Sequence, residues 1–227
     1  MPTSRLLKAP KTNFGNLLLK KKNFLIKVYL TIAVQLLVTY IVVFMLRKYD
    51  TINQKIHKFW ILWFILTLAL LFGILYNKLP IAVRLLCYFI FSILIGFNCI
   101  ATIKYISRDS IKLGLIGTFC IFIIMTLIAF ILAALGVNLS FLSFVLSACL
   151  SALLIAGIIM IFIPTSSFAR KIYFAAGLIL FSIFIAFDTN TMIQPDYIWK
   201  DDYINASVGI YLDIMNVFTD IVGFDNS

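Results

Sequence analysis

The chain has 227 residues, of which 63% are hydrophobic and only 12% charged. Soluble domains run about 45–50% apolar and about 25% charged, so this composition excludes an ordinary soluble fold, a disordered chain and a secreted disulfide scaffold. The net charge is +10 and the nine acids are all Asp; on a membrane protein such a basic excess faces lipid head groups or sets topology, so no nucleic-acid partner is expected.

A membrane-crossing helix needs about 20 apolar residues, which lets a chain of this length hold about six to eight crossings and little else. Residues 1–23 are basic, with only Leu17, Leu18 and Leu19 as an apolar patch. That patch is too short for a signal-peptide core, so the first span is expected to be an uncleaved anchor. Residues 1–23 are taken as a cytosolic segment and 24–227 as one transmembrane bundle.

The first apolar run covers 24–46, interrupted by Lys27 and closed by Arg47 and Lys48. The second, 59–76, opens on Trp60 and Trp63, whose indoles suit a membrane interface, and breaks at Asn77, Lys78 and Pro80. The third, 81–103, carries Arg84 in its first turn, where it is expected to snorkel outward. Between the first two runs lies a charged loop with His57, the only His. The fourth and fifth runs, 113–135 and 139–163, are separated only by Gly136, Val137 and Asn138, which demands a tight hairpin. Ser143, Ser147, Ser151, Ala152 and Gly157 on the fifth run predict close helix packing. The sixth run, 172–187, stops at Asp188. After a polar loop comes 203–224, less apolar than the rest.

Runs of this length are helices, and no sustained alternation suggests a barrel. The expected fold is therefore an all-α integral membrane protein with seven spans, or six if the last segment is re-entrant. Seven Lys and Arg residues up to Lys27 place the N terminus in the cytosol. The sequons at Asn138 and Asn205 would then both lie on the cytosolic side and stay unmodified. Cys87, Cys99, Cys120 and Cys149 all sit in apolar runs without a CxxC pair, and are expected to be buried thiols.

Seven of the nine aspartates fall from Asp188 onward. An acid inside a bilayer is costly, which makes Asp188 and Asp213 functional candidates. In the last segment, Asp202, Asn205, Gly209, Asp213, Asn216 and Asp220 follow at helical steps and form one polar stripe. The back of that helix carries Ile204, Val208, Tyr211, Ile214, Phe218 and Val222. Such a helix either faces the bundle interior or lies flat on the membrane; an acidic stripe argues against the flat placement. Asp188 and Asp213, if adjacent, cannot both ionise cheaply, and would share a proton and open on losing it. The same pair offers oxygens to Ca²⁺, a hard cation. A catalytic dyad for intramembrane proteolysis is an alternative. Asp213 lacks the glycine pair such enzymes carry, and no Pro-Ala-Leu follows, so no enzyme is expected.

Three stretches resemble the Bax inhibitor family: Lys27-Val28-Tyr29-Leu30 with Gln35-Leu36-Leu37-Val38-Thr39; Phe187-Asp188-Thr189-Asn190-Thr191-Met192; and residues 203–218 with Gly209-Ile210-Tyr211-Leu212-Asp213-Ile214-Met215-Asn216-Val217-Phe218. The chain looks closest to the Golgi anti-apoptotic and Lifeguard branches, and its Glu-free, Lys/Ile/Phe-rich composition would suit a viral member. The resemblance implies a seven-helix bundle in Golgi or endoplasmic reticulum membranes. It implies a Ca²⁺ leak that dampens cell death, with Asp188 and Asp213 sensing pH and Asp202, Asn205, Asn216 and Asp220 along the ion path. It implies no bound cofactor beyond transient Ca²⁺. Some members carry an Arg at the end of the second span as a latch; Asn77 and Lys78 stand there instead. The implied partners are lipid, Ca²⁺ and protons, with cell-death regulators or a second copy. A non-conducting adaptor for such regulators is the competing reading.

Overall fold

With no water to satisfy backbone groups inside a bilayer, a spanning segment must make its hydrogen bonds internally, and each apolar run here does so as a helix. The computed structural model describes residues 14–76, 78–103, 106–198 and 202–227. Its helices are α1 (Phe14–Leu46), α2 (Asp50–Lys58), α3 (Trp60–Leu75), α4 (Ile81–Ile103), α5 (Arg108–Ala134), α6 (Ser143–Phe162), α7 (Ser167–Ile193) and α8 (Tyr203–Asp225), with a 3₁₀ turn at Leu139–Leu142 before α6. Among the described residues six helices are long and apolar enough to cross a membrane, and α3 is a shorter apolar helix of 16 residues. Among the described residues there is no strand.

Several boundaries differ from the sequence reading, and four of the differences shape the bundle. α1 begins at Phe14, well before its apolar run, so the Lys20–Lys22 cluster is helical. The charged segment around His57 is not a loop but α2, which buries Ile56. Asp188 does not end the sixth span: α7 runs on to Ile193, because Thr189, Asn190 and Thr191 are buried rather than solvated. The fifth run starts as a 3₁₀ turn held by Asn138, whose side chain accepts from Ser140 N.

The hairpin between α5 and α6 is made by Gly136 at φ 78°. Gly136 N donates to Ala133 O and Val137 N to Leu132 O, the paired bonds of a Schellman cap. Nothing crowds the Gly136 position, so the left-handed backbone alone requires glycine there.

α8 is the centre of the bundle, packed on α7, α5, α1 and α4. One of its apolar faces, with Ile204, Val208, Tyr211 and Met215, meets Ile74, Tyr88, Phe91 and Cys99 of α3 and α4. Another, with Ala206, Ile210, Ile214 and Val217, meets Phe24, Val28 and Ile32 of α1 and Phe181 and Ile185 of α7. A helix lying flat on the membrane is thereby excluded. Gly114 and Gly117 let α5 close on Phe218, Ile221 and Val222 of α8. Arg47, just past α1, donates to Ile106 O, just past α4, so α1 and α4 finish at the same end of the bundle.

α6 is the most peripheral spanning helix. Its Ser143, Ser147, Ser151 and Ala152 are exposed, against the expectation of close packing there, while Gly157 bears it out by lying against Tyr173 of α7. Ser151 Oγ is satisfied by Ser147 O of its own helix, so the stripe needs no neighbour. The expectation of buried cysteines holds for Cys99 and fails for Cys120 and Cys149, which face outward. A thiol is apolar enough to lie against lipid tails as well as in a core.

Candidate functional site

The polar string at the end of α7 has a division of labour. Asn190 Oδ1 accepts from Leu139 N (2.9 Å), while Nδ2 donates to Ala129 O (3.2 Å) and Val137 O (3.1 Å). One buried amide thus staples the α5–α6 hairpin to α7. Thr191 Oγ1 returns to Phe187 O (2.9 Å), in the turn that carries Asp188. Asp188 is therefore held on a helix fixed from both sides.

Across from it, Asp188 Oδ2 lies directly over Gly209 of α8, where a Cβ would collide with it. Asp220 makes the reciprocal contact, its carboxylate lying over Gly177 of α7. Gly177 is 11 residues before Asp188, and Asp220 is 11 residues after Gly209, so one antiparallel register sets both contacts. Asp213 is one turn beyond Gly209 and within electrostatic reach of Asp188. Asp213 and Asp220 are buried, and the Oδ2 of each has no hydrogen-bond partner. Asn216, on the same stripe, is half-buried.

Asp202 is differently placed. Its Oδ1 caps α8 by accepting from Asn205 N (3.2 Å), and Oδ2 accepts from Asn205 Nδ2 (3.1 Å). Arg84 Nη2 bridges both oxygens at 3.0 and 2.9 Å, while Arg84 Nε donates to Ile74 O at 2.9 Å. Arg84 therefore does not snorkel outward: it is 6% exposed and points inward. The snorkelling expectation fails because a capping carboxylate and an orphan carbonyl at the end of α3 are both within its reach. Lys78 is exposed in the turn after α3. Asn77 lies outside the described residues.

The site thus divides into a basic-paired acid at one end, Asp202, and three acids along α7 and α8 that have no ion pair among the described residues. Among the described residues no three His, Cys, Asp or Glu side chains gather at one point that could hold a metal ion. Asp188 and Asp213 supply two carboxylates at most to a passing cation. Asn205 is 4% exposed and its amide is engaged by Asp202, which leaves no acceptor for a glycan in the folded chain.

Beside this stripe a hydroxyl chain ties α1, α4 and α8. Thr39 Oγ1 donates to Ser92 O (3.1 Å), so the 2.6 Å bond between Thr39 and Tyr211 has the Tyr211 hydroxyl as donor. Tyr88 donates to Ser207 Oγ at 2.7 Å.

Residues 21–224 match the family described as "Inhibitor of apoptosis-promoting Bax1". The chain belongs to the Bax inhibitor family. It is 29% identical to the Arabidopsis thaliana protein Lifeguard 4, covering 94% of this chain and 85% of that one. It is 30% identical to Lifeguard 1 of the same plant, over 88% and 87% of the two chains. With Bax inhibitor 1 of Schizosaccharomyces pombe it shares 27% identity, over 88% and 74%.

Three features of this Bax inhibitor family member were missed by sequence reasoning. Arg84 was visible as a lone cation in an apolar run, and its partner was visible as the Asp before the last helix. Their pairing across 118 residues was not. Asn190 stood inside the Asp188–Met192 motif but was eclipsed by its acidic neighbour. Tyr211 was read only as part of an apolar back face.

Proposed function

We propose that the chain lets Ca²⁺ leak from an internal store, in the Golgi or endoplasmic reticulum, under the control of pH, and so dampens cell death. The observation that carries this reading is the buried acid set between α7 and α8, with Asp213 Oδ2 and Asp220 Oδ2 unpartnered. Ionisable groups at membrane depth are expensive and are retained for ion or proton traffic. Asp188 and Asp213 share a proton; losing it leaves two like charges side by side, which loosens α7 against α8. Ca²⁺ then finds hard oxygen ligands along Asp213, Asn216 and Asp220. Asp202 and Asn205 tune the end of that path, with Arg84 withholding Asp202 until the pair opens. The family's description as an inhibitor of an apoptosis-promoting protein supports the role in cell death.

The reading includes seven crossings with a cytosolic N terminus. α1 and α4 finish at the same end, which supports a return of the chain between them, and α3 is the helix available for it. Its 16 residues rise about 24 Å, short of the ~30 Å hydrocarbon core, with Trp60 and Trp63 near one interface. Seven crossings put the C terminus on the opposite face from the N terminus.

The test is Ca²⁺ flux from dye-loaded liposomes holding the purified protein, measured at several pH values. Wild-type flux varies with pH and Asp213→Asn loses that variation. Flux and pH profile both unchanged in Asp213→Asn would remove the gate from this pair. A second reading, a non-conducting adaptor for cell-death regulators, is favoured by one observation: the acids are packed tightly against glycines, with α7 and α8 closed on each other. Protection from cell death without any flux would select it.

A further inference from the structure

A cavity of about 610 Å³ lies between α1, α4, α5 and α8, away from the α7–α8 acids. Its inner wall is apolar, with Leu36, Val43, Ile103, Met215 and Phe218. Its mouth carries four cations, Arg47, Lys48, Arg108 and Lys112. Arg47 is pinned there by its bond to Ile106 O, and Lys48 sits 4.6 Å over the Phe44 ring. Lys112 pairs with Asp109 at 3.3 Å, an exposed contact that holds neither side chain firmly. Along α1 the cavity runs from Leu36 to the end of the helix at Leu46, a rise of roughly 15 Å, which is close to one leaflet of a ~30 Å hydrocarbon core, and the cations lie just beyond.

We propose that this cavity is a binding site for an anionic phospholipid, with an acyl chain along the α1–α5–α8 wall and the phosphate among Arg47, Lys48, Arg108 and Lys112. Charge and depth together select this occupant. A free anion would be met by the cations but would leave the apolar interior empty. A neutral lipid would fill the interior but bring no charge to a basic mouth where Lys48 and Arg108 have no ion pair among the described residues. Basic pockets between membrane helices take anionic head groups in this way, and a guanidinium matches phosphate geometry. The site uses none of the acids assigned to ion traffic, so it stands or falls separately from the leak.

The experiment compares lipid retention by native mass spectrometry and unfolding temperature in detergent. The probes are phosphatidylglycerol, phosphatidylcholine with matched chains, and inorganic phosphate alone. The variant Lys48→Gln/Arg108→Gln/Lys112→Gln removes three exposed cations and leaves Arg47 to hold its corner. Leu115→Trp fills the cavity without touching charge. Arg170→Gln/Lys171→Gln removes two cations at the start of α7, outside the cavity. Wild type should retain phosphatidylglycerol and gain unfolding temperature from it. The triple variant should weaken that binding by at least roughly tenfold. Leu115→Trp should lose it, and the Arg170/Lys171 variant should keep it. Equal effects of the two lipids, or equal loss in the Arg170/Lys171 variant, would overturn the proposal in favour of a generally basic face. The full effect from inorganic phosphate alone would overturn it in favour of a head-group-only anion site.

Discussion

Asp188 of α7 rests on Gly209 of α8, and the close approach of the two helices depends on the absence of a side chain there. The atom a Cβ would strike is the end of a movable carboxylate, not backbone. Gly209→Ala should therefore fold, with a stability loss below about 2 kcal/mol, while the Asp188 carboxylate is displaced. The larger effect should be on the pH profile of Ca²⁺ flux, which liposome measurements would read. Gly177→Ala should displace Asp220 in the same manner. Gly73→Ala, where nothing lies within 4 Å of the added Cβ, serves as the control and should leave both flux and stability unmoved. A Gly209→Ala protein with a wild-type pH profile would dissociate Asp188 placement from gating.

Arg84 joins three elements through one side chain: the end of α3 at Ile74 O, the start of α4, and the Asp202 cap of α8. Arg84→Met should cost about 3 kcal/mol, because it strands a partly buried carboxylate and an orphan carbonyl together. Asp202→Asn keeps one acceptor for Asn205 N, but its amide NH2 faces the Arg84 and Asn205 donors and leaves the buried guanidinium without a counter-charge, so it should cost about as much as Arg84→Met. Arg84→Lys keeps the charge, but a single ammonium cannot reproduce the Nε bond to Ile74 O and the Nη2 bond to Asp202 at once. Thermal unfolding in detergent should rank Arg84→Lys as the most stable of the three variants. Equal stability of Arg84→Met and Arg84→Lys would show that the charge contributes nothing.

How much of this was legible in the sequence follows from what kind of information each feature carries. Helix positions were legible because hydrocarbon thickness fixes run length and the bilayer forbids unpaired backbone. The α5–α6 hairpin was legible because three residues leave room for one tight cap, and Gly136 supplies the left-handed backbone. The polar stripe of α8 was legible from helical spacing alone. Its neighbours were not: the register that sets Asp188 on Gly209 and Asp220 on Gly177 depends on which glycines meet which acids across two helices. Arg84 was misread because an Arg in the first turn of a spanning helix fits two environments, head groups outside or an acid inside, and only the partner decides. The serines of α6 face outward because small residues permit close packing without requiring it; only Gly157 of that set meets α7.

Asn190 should prove to be a structural residue inside a motif that looks catalytic. Asn190→Ala takes the partner from Leu139 N and Val137 O and the second donor from Ala129 O, which keeps its bond within α5. A loss of about 2–4 kcal/mol is expected, from several buried polar groups left unmet. Hydrogen exchange should accelerate at residues 137–140, where the hairpin loses its tie to α7. Asn190→Asp keeps the acceptor for Leu139 N but turns the donor amide into an acceptor facing two carbonyls, so it should be no better than Ala. If exchange at 137–140 is unchanged in both variants, the hairpin is held by its own cap instead.

The bond between Tyr211 and Thr39 should show an asymmetry that identifies its donor. Thr39 already gives its hydroxyl proton to Ser92 O, so Tyr211 must donate to Thr39. Tyr211→Phe removes that donor and leaves Thr39 still bonded, at a cost of about 1 kcal/mol. Thr39→Val instead takes the 2.6 Å acceptor from the buried Tyr211 hydroxyl, leaving it the Ser92 side chain alone, and leaves Ser92 O with one donor fewer; it should cost about 2 kcal/mol. The double variant should cost less than the two single losses combined, because a ring without its hydroxyl needs no acceptor from position 39. Unfolding of the four proteins in one detergent completes the cycle. Equal single losses that add in the double variant would mean that the two hydroxyls do not depend on each other.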